Sequence, residues 1–339
     1  MAFDIGTSYK ITLWGQSHAP AIGVVLDGLP AGEPLDVAAL QSFIDRRSAH
    51  GQPGATSRSE PDTLEILSGL VNGRTCGAPL SFLLRNTNVR SQDYQGMAQT
   101  PRPSHADYAA GVKYHGCNDP RGGGFFSGRM TAPLCIAGGV AVQILERQGI
   151  CINACATRIG TAETAEEMLA QISQAQAQGD SVGGLIACVA QHVPVGWGEP
   201  FFDGLESKMA HLLFSIPAVK GVEFGSGFAL ASMRGSEAND PFAYENGRVV
   251  TTSNHNGGIN GGLSNGMPIC LRVAIKPTPS IAQEQDTVNI ATQDNTRLAI
   301  TGRHDSCLVP RAVVCVESAV AIALLDSYLT HLKTLPLTK

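Results

Sequence analysis

Two segments of this chain carry small or apolar residues on nearly every side of a helical projection. They are residues 129–149, RMTAPLCIAGGVAVQILERQG, and residues 311–332, RAVVCVESAVAIALLDSYLTHL. A helix with this pattern has to be covered on all of its faces, so the first segment predicts a helix buried between two layers. Many short strand-like runs accompany the two helices. Together they favour a layered α+β fold over a dinucleotide-binding unit.

The remaining pattern predicts further elements around these two helices. Residues 20–27 form a strand-like apolar run. The next segment has Val37, Leu40, Phe43 and Ile44 at helical spacing, with Asp36 as a predicted N-cap. That helix would bring Arg46 and Arg47 to its C-terminal end. Residues 161–180 are amphipathic and polar, and predict a surface helix or a mobile flap. We find no composition break, so residues 1–339 are interpreted as a single domain.

Composition and charge exclude several classes of protein. The chain has 339 residues, of which 43% are hydrophobic, and its formal net charge is −5 with dispersed basic residues. It has no basic stripe for nucleic acid, no run of 18 apolar residues for a membrane, and no signal peptide, so we expect a cytoplasmic protein. The nine cysteines show no CxxC pair and have mostly apolar neighbours. We interpret them as buried thiols, and expect no metal.

The stretch RGGGFFSGRMT, residues 121–131, has the composition of an anion-binding loop. Glycines allow an anion to approach peptide N–H groups, and arginines supply positive charge. Phe125 and Phe126 lie in the middle of this loop. Phenyl rings cannot hold a phosphate, so their presence needs a separate explanation.

Two loops present histidines beside groups that suit anion chemistry. In TLWGQSHAPAIG, His18 follows Ser17 at a turn between two strand-like runs, although a lone histidine is more often a surface residue. In TPRPSHADYA, two prolines stiffen the backbone around Arg102, and His105 follows. Arginine beside histidine on a rigid loop suits binding and protonating an anion, but an exposed loop with an ordinary salt bridge fits equally well.

Three later motifs are open to two interpretations each. The glycine-rich stretch 253–268, SNHNGGINGGLSNGMP, could approach a phosphate or form a pair of tight turns. The stretch IKPTPSI could grip a phosphate or end an edge strand. In TGRHDSC, Arg303 and Asp305 could hold an anion and accept a proton in one pocket.

Taken together, and in this order, these motifs resemble the chorismate synthase family over nearly the whole chain. The segments DRRS, EILSGLVNG, RNTNVRSQDY, RPSHADY, GGINGGLSNG, KPTPS and GRHDSC are similar to that family's segments. Agreement among several motifs is far more specific than any one glycine loop.

This resemblance implies a β-α-β sandwich, with a helical layer between two mainly antiparallel sheets, usually as a homotetramer. It also implies the conversion of 5-enolpyruvylshikimate 3-phosphate to chorismate, a 1,4-elimination of phosphate in the shikimate pathway. The reaction needs reduced FMN, with NADPH as a candidate reductant. Flavin would lower the barrier by transient electron donation, without net oxidation.

The resemblance also implies roles for individual residues. Catalytic roles would fall to His18 at the reduced flavin, His105 at the leaving phosphate or the flavin edge, and Asp305 at flavin N5. The FMN-binding positions would be Ser127, Ala218, Gly261, Lys276, Pro277, Thr278, Pro279, Ser280 and Arg303. The positions at the anionic substrate would be Ser17, Arg47, Arg102 and Arg129.

The chain departs from the family's usual pattern at several charged positions. Basic residues are absent at Ser48 and Pro53, and Phe125, Phe126 and Met130 replace arginine, serine and glutamate. Each lost arginine removes a contact of roughly 1.5–3 kcal/mol from a phosphate pocket. Two alternatives follow: an impaired paralogue that binds flavin or a partner without turnover, and a related elimination on a less anionic substrate.

Overall fold

The computed structural model describes residues 3–48, 51–55, 61–87, 99–300 and 304–335. Within these ranges the first sheet is antiparallel throughout, and its strands are β1 (Asp4–Ile5), β2 (Lys10–Gly15), β3 (Ala21–Asp27), β4 (Glu65–Ser68) and β7 (Leu80–Arg85). Their spatial order is β1-β2-β3-β7-β4. A short hairpin of β5 (Leu70–Val71) and β6 (Arg74–Thr75) connects β4 to β7.

The second sheet is also antiparallel in the described part of the chain. Its strands are β8 (Cys151–Ile159), β9 (Gly184–Gln191), β10 (Val219–Phe224) and β15 (Ile269–Ile275), in the order β10-β15-β9-β8. Three small hairpins lie outside it: β11 (Phe242–Glu245) with β12 (Arg248–Thr251), β13 (Ile259–Asn260) with β14 (Leu263–Ser264), and β16 (Gln285–Asn289) with β17 (Asp294–Leu298).

Two long helices, the third and the seventh along the chain, fill the space between the two sheets. The helices are α1 (Val37–Asp45), α2 (Asp107–Lys113), α3 (Thr131–Arg147), α4 (Ala165–Ala177), α5 (Leu205–Ser215), α6 (Gly235–Ala238) and α7 (Val309–Thr334). The helix α3 packs on β3 of the first sheet, α7 packs on β8 and β9 of the second, and the two helices pack on each other. The prediction of an α+β fold with a central helical layer is confirmed. One core cluster includes residues from Tyr9 to Leu329. The single-domain interpretation of residues 1–339 stays a prediction.

Small residues let α3 and α7 approach closely. A Cβ placed on Gly138 would lie 2.2 Å from the Cβ of Ser318, so no larger residue fits at this crossing. Both helical stretches have the length and hydropathy of membrane spans, because the most apolar 18-residue windows within Gly128–Arg147 and Val309–Thr334 have mean hydropathies of 1.3 and 1.8. However, 83% and 89% of their most apolar stretches are buried inside the protein, as in the core helices of a layered fold.

The predicted helix after β3 is confirmed, together with its N-cap. Asp36 has an extended backbone, and its side chain accepts a hydrogen bond of 2.9 Å from the Ala39 N–H. At the other end, Arg46 forms an ion pair of 2.7 Å with the buried Glu317 of α7, which also accepts from the Ala154 N–H. Through Glu317, the end of α1 is connected to α7 and to β8. These contacts hold in place the backbone that precedes Arg47.

The interpretation of all nine cysteines as buried thiols is wrong. Cys135, Cys188, Cys307 and Cys315 are buried, but Cys76, Cys117, Cys151 and Cys155 are exposed and Cys270 is half-buried. Cys151 and Cys155 show the reason, because they lie on the outer face of the edge strand β8 and alternate along it with residues that face inward.

The amphipathic helix predicted within residues 161–180 is observed as α4, which buries only Ile172 and Ala175.

Candidate active site

A cavity of about 530 Å³ lies among the ends of several elements. It is bounded by the residues after α1, the loop before α2, the loop 122–131, the segments after α5 and β15, and the start of α7. Its ionisable lining residues are Arg47, Asp62, Arg102, His105, Arg129, Lys276, His304, Asp305 and Arg311. This volume is typical of sites that bind cofactors and small molecules.

One wall of the cavity is built around a buried carboxylate that holds two arginines. Asp62 Oδ2 accepts from Arg47 Nη2 at 2.7 Å, and Asp62 Oδ1 accepts a short hydrogen bond from Arg129 Nη1. Burial by itself raises the pKa of Asp62, but the two guanidiniums outweigh burial and hold this pKa below its ordinary value. The three residues carry a net charge of +1, so this wall can still bind an anion.

A second network surrounds His105. Asp107 accepts from Arg102 Nε at 2.7 Å and from Arg102 Nη2 at 2.8 Å, and its Oδ1 lies 2.6 Å from His105 Nδ1. Burial raises the pKa of Asp107, but the hydrogen bonds and charges of Arg102 and His105 hold it well below its usual range. Arg102 Nη1 also donates to Ser280 Oγ at 3.2 Å. The loop before α2 is thereby joined to the segment after β15.

The third charged group lies at the start of α7. Arg311 Nη1 donates to both carboxylate oxygens of Asp305, at 2.8 and 2.7 Å, while Arg311 Nε donates to the Arg47 carbonyl at 3.0 Å. Across the cavity, Lys276 Nζ donates to the Ser104 carbonyl at 2.7 Å. Partial burial, and then the nearby Lys220, lowers the pKa of Lys276. The cavity therefore holds cationic side chains whose orientation is set by neighbouring acceptors.

The loop of three glycines turns through the left-handed region of backbone conformation. Gly122, Gly123 and Gly124 have φ values of 59°, 79° and 56°, which residues with a Cβ rarely adopt. His18 lies directly behind this loop, since a Cβ on Gly122 would be 2.5 Å from its Cδ2 and Nε2 atoms. The Ser17 N–H donates to the Gly124 carbonyl at 3.1 Å. The glycines therefore allow the first histidine loop to pack against the cavity wall.

The two phenylalanines of this loop form an aromatic wall. Phe125 and Phe126 both line the cavity, and their ring centroids are 4.7 Å apart. The Phe125 ring also makes T-shaped contacts with the rings of Phe3 and Tyr114, with centroid distances of 5.6 and 5.3 Å. Such a wall offers a planar ligand an apolar contact surface beside the arginines of the cavity.

Two residues other than glycine adopt positive φ at the cavity. They are Ser104, with φ of 57°, and Ala218, with φ of 76°. The Lys276 N–H donates to the Ala218 carbonyl at 2.9 Å and holds this conformation in place. Backbone strain of this kind, of order 1–3 kcal/mol for each residue, is concentrated at functional sites in proteins.

The structure brings most of the predicted site residues to this one cavity. The residues that line it are Arg47, Arg102, His105, Ser127, Arg129, Ala218, Lys276, Thr278, Pro279, Ser280 and Asp305. Ser17 and His18 are buried behind Gly122, and Pro277 lies within the lining segment without lining the cavity itself. Arg303 lies outside the described residues.

Gly261 is not placed at the cavity. It occupies the two-residue turn between β13 and β14 with Gly262, where φ is 62° and 88°, and it is exposed. These values fit a type I′ hairpin turn, so the structure favours the tight-turn interpretation at this position. Its assignment to FMN stays a prediction.

Three residues of the site were not predicted from the sequence: Asp62, Asp107 and Arg311. Each forms an ion pair with a residue that was predicted. A signal was present for Asp107, because a buried arginine and histidine need an acceptor and this carboxylate follows in the same motif. The described residues contain no cluster of histidine, cysteine, aspartate or glutamate suited to a metal ion.

We expect Gly122→Ala to disable the site more than it destabilises the protein. The added Cβ would meet His18 at 2.5 Å, and so displace an imidazole from the cavity wall. Gly149→Ala is a matched control, because Gly149 also has positive φ, 79°, but has no atom within 4 Å of such a Cβ. Both variants should lose the stability that a positive φ costs an alanine, on the order of 1 kcal/mol, but only Gly122→Ala should lose activity by about tenfold or more. Equal activities would contradict this expectation.

The cavity combines oriented cations, imidazole and carboxylate groups and an aromatic wall in a two-sheet α+β fold. These features are typical of an enzyme that binds small anionic molecules and uses imidazole and carboxylate groups to transfer protons to and from them. The comparisons with known proteins specify which one. Residues 9–329 match the family model described as chorismate synthase, and the chain belongs to that family.

Individual relatives agree with the family match over nearly the full length of both chains. Chorismate synthases from Korarchaeum cryptofilum, Dehalococcoides mccartyi strain 195 and Thermococcus kodakarensis are each 44% identical to this chain. The alignments cover 98%, 96% and 96% of this chain and 99%, 96% and 97% of those proteins. A crystal structure of a chorismate synthase superposes with a TM-score of 0.75 at 28% identity, covering 97% of this chain and 94% of that one.

The activity is therefore that of a chorismate synthase, a lyase of the shikimate pathway, and the family implies a reduced flavin cofactor. The predictions of family, fold class and enzyme class are confirmed, and the alternative of an impaired paralogue is not favoured. The structure also bears on the charges that the family pattern lacks here. Although Ser48 carries no charge, the lining still includes Arg47, Arg102, Arg129, Lys276 and Arg311.

Proposed function

We propose that this cavity binds reduced FMN beside 5-enolpyruvylshikimate 3-phosphate, and that the chain eliminates phosphate from that substrate to give chorismate. The observation that carries the proposal is the combination of cationic side chains with an aromatic wall in one cavity of about 530 Å³. The cations suit phosphate and carboxylate groups, and the wall of Phe125 and Phe126 suits a planar ring system.

Buried donors that lack protein partners support the fit of anionic ligands. Within the described residues, Arg47 Nε and Thr278 Oγ1 are buried without any hydrogen-bond partner, and both residues line the cavity. Burying an unsatisfied donor costs about 1–3 kcal/mol, so such groups are expected where a ligand completes the network. Thr278 belongs to the KPTPS segment that we assign to FMN, together with Ser127, Ala218 and Arg303.

The charged networks suggest how the chain would act on the substrate. Arg47, Arg102 and Arg129 would hold its anionic groups, with Ser17 supporting the adjacent loop. His105 Nδ1 lies 2.6 Å from Asp107 Oδ1, and Nε2 lies 3.2 Å from Arg102 Nη2. Nε2 would therefore have to exchange its contact with the guanidinium for one with the departing phosphate in order to give that phosphate a proton. Electron donation is the chemistry that reduced flavin supplies when bound.

The proton lost from C6 also needs an acceptor. Asp305 lines the cavity, and Arg311 holds both of its oxygens, so its carboxylate is oriented for such a role. His18 packs behind Gly122 and would stabilise the charge of the reduced cofactor from there. The reaction is balanced, because one carbon–oxygen bond and one carbon–hydrogen bond break, and phosphate and a proton leave.

The test is anaerobic phosphate release from 5-enolpyruvylshikimate 3-phosphate with dithionite-reduced FMN. We expect His105→Ala to lower kcat by about 10²–10⁴-fold, the usual contribution of general acid–base catalysis. His211→Ala, an exposed histidine on α5, should leave kcat unchanged. A sample that binds FMN but releases no phosphate would overturn the proposal. Replacing dithionite with NADPH would show whether this chain uses NADPH as reductant.

We also propose that the protein is a cytoplasmic homo-oligomer, with a tetramer as the predicted state. Several large aromatic side chains are almost fully exposed: Phe201 at 88%, Phe202 at 91%, Phe228 at 83%, and Tyr244 at 82%. Exposed apolar groups of this size are typical of interaction surfaces, and a second copy of the chain is the partner we propose. Light scattering should give four chain masses, and Phe202→Asp with Tyr244→Asp should lower that number. A wild-type monomer would contradict this proposal.

A further inference from the structure

Two thiols meet at the crossing of α3 and α7, in the wall of the active-site cavity. Cys135 Sγ donates to Cys315 Sγ at 3.7 Å, and both side chains are buried. Cys315 also lines the cavity, whereas Cys135 lies behind it. The pair therefore has one sulfur that a small molecule in the cavity could reach, and a second sulfur in direct contact with the first.

The local packing is compatible with a bond between these sulfurs. A disulfide has an S–S length of about 2.05 Å, so the sulfurs would have to approach by roughly 1.7 Å. One turn further along each helix, Gly138 contacts Ser318 so closely that a Cβ would not fit. The two helices are thus already at their closest approach beside the thiols, and rotation of the two side chains can supply most of the movement.

The surroundings of the two sulfurs make them chemically different. The hydrogen bond from Cys135, and then the charge of Arg47, lower the pKa of Cys315 in spite of its burial. The same hydrogen bond and burial raise the pKa of Cys135. Because Cys315 lines the cavity and Cys135 does not, and because the pKa of Cys315 is the lowered one, Cys315 is the nucleophile of the pair and Cys135 is the thiol that reacts second.

We propose that Cys135 and Cys315 form a redox-active dithiol that a hydroperoxide entering the active-site cavity oxidises reversibly to a disulfide. The Cys315 thiolate attacks one oxygen of hydrogen peroxide and the O–O bond breaks, so Cys315 becomes a sulfenic acid and hydroxide leaves, which becomes water with the proton that the Cys315 thiol released. Cys135 Sγ then attacks Cys315 Sγ, the S–O bond breaks, and water leaves with the proton of Cys135. Two thiols lose two electrons in total, and hydrogen peroxide is reduced to two molecules of water.

No other described cysteine combines these features. Cys188 is equally buried, but it does not line the cavity, and burial followed by the charge of Glu317 raises its pKa. It is therefore an internal control for a buried thiol without activation. The exposed cysteines Cys76, Cys117, Cys151 and Cys155 would react with peroxide non-specifically, and the test should be made in a variant with serine at all four positions.

The test treats this four-serine variant with hydrogen peroxide, blocks the remaining thiols by alkylation, and maps the peptides by mass spectrometry. We expect a Cys135–Cys315 disulfide that dithiothreitol reverses, formed at least about tenfold faster than any oxidation of Cys188. Adding Cys135→Ser should stop the reaction at a sulfenic acid on Cys315, which dimedone traps. Adding Cys315→Ser should leave Cys135 reduced.

Two results would overturn the proposal. One is a reduced Cys315 at peroxide concentrations that already oxidise Cys188. The other is a disulfide that joins either cysteine to a different partner. Both results can be read in the four-serine variant alone, so the test does not depend on whether the two further variants fold. It also does not depend on turnover, and so it is independent of the proposed function.

Discussion

Asp62→Ala should lower the free energy of unfolding by about 3–5 kcal/mol, because it removes the only carboxylate that the described residues place between Arg47 and Arg129. The side chains of all three residues are at most 6% exposed. The loss of Asp62 would therefore leave two guanidiniums in a wall from which water is largely excluded. Denaturant unfolding at neutral pH would measure the effect.

Glu65→Ala is the matched control for this prediction. Glu65 follows Asp62 by three residues and also forms an ion pair, with Arg85, but those side chains are 39% and 62% exposed. Its removal should cost far less stability than the removal of Asp62, because solvent screens surface pairs. Similar losses for the two variants would show that Asp62 does not act through the buried charges.

A second substitution separates the charge effect from the effect of a cavity. If the charge that Asp62 neutralises is the cause, adding Arg129→Met to Asp62→Ala should restore part of the lost stability, since one of the two guanidiniums that Asp62 holds is then absent. A packing defect alone would make the double variant less stable still. The same double variant should bind phosphate more weakly than the wild type, because Arg129 lines the cavity.

The helical layer could be predicted from sequence because its signal is local. The uniform apolar character of residues 129–149 and 311–332 requires covering layers on all sides, and the observed helices Thr131–Arg147 and Val309–Thr334 have them. The N-cap at Asp36 is likewise a property of a few adjacent residues. Such features need no knowledge of which distant segments meet.

The ion pairs of the site could not be predicted in the same way, since they depend on tertiary placement. Asp62 reaches Arg129 across 67 positions of the chain, and no local pattern specifies that distance.

Gly261 shows a different limit of prediction from sequence. A positive φ is required both by a hairpin turn and by close approach to a ligand, so the glycine-rich motif could not distinguish these two environments. Exposure of Cys151 and Cys155 depended on which face of β8 is covered, which their apolar neighbours did not reveal.

The second large effect that we expect is a loss of catalytic rate when the network around His105 is changed. Asp107→Asn should lower kcat by about 10²-fold or more, because the neutral amide no longer stabilises a positive imidazole or fixes its Nδ1 proton. Its effect on KM should be smaller, provided that Arg102 keeps its hydrogen bond to Ser280. Steady-state phosphate release would measure both parameters. Asp286→Asn, at a carboxylate 91% exposed in its ion pair with Arg297, should change neither.

The carboxylate of Asp107 should also make the free energy of unfolding depend on pH. The pKa of Asp107 is lowered in the folded protein, relative to an ordinary value of about 3.9. A lowered pKa means that the carboxylate stabilises the fold fully above about pH 4–5, and that this contribution is lost as the pH falls toward the lowered value. The difference in unfolding free energy between wild type and Asp107→Asn should therefore shrink as the pH falls below about 4.

A double-mutant cycle decides whether Asp107 acts on catalysis through His105. If the carboxylate only orients and stabilises the imidazole, then Asp107→Asn should have little further effect on kcat once His105→Ala is present. Additive losses would mean that Asp107 contributes separately, through Arg102 and the substrate's anionic groups. The short contact of 2.6 Å between Asp107 Oδ1 and His105 Nδ1 favours the first outcome, because two groups in direct contact are expected to act as one unit.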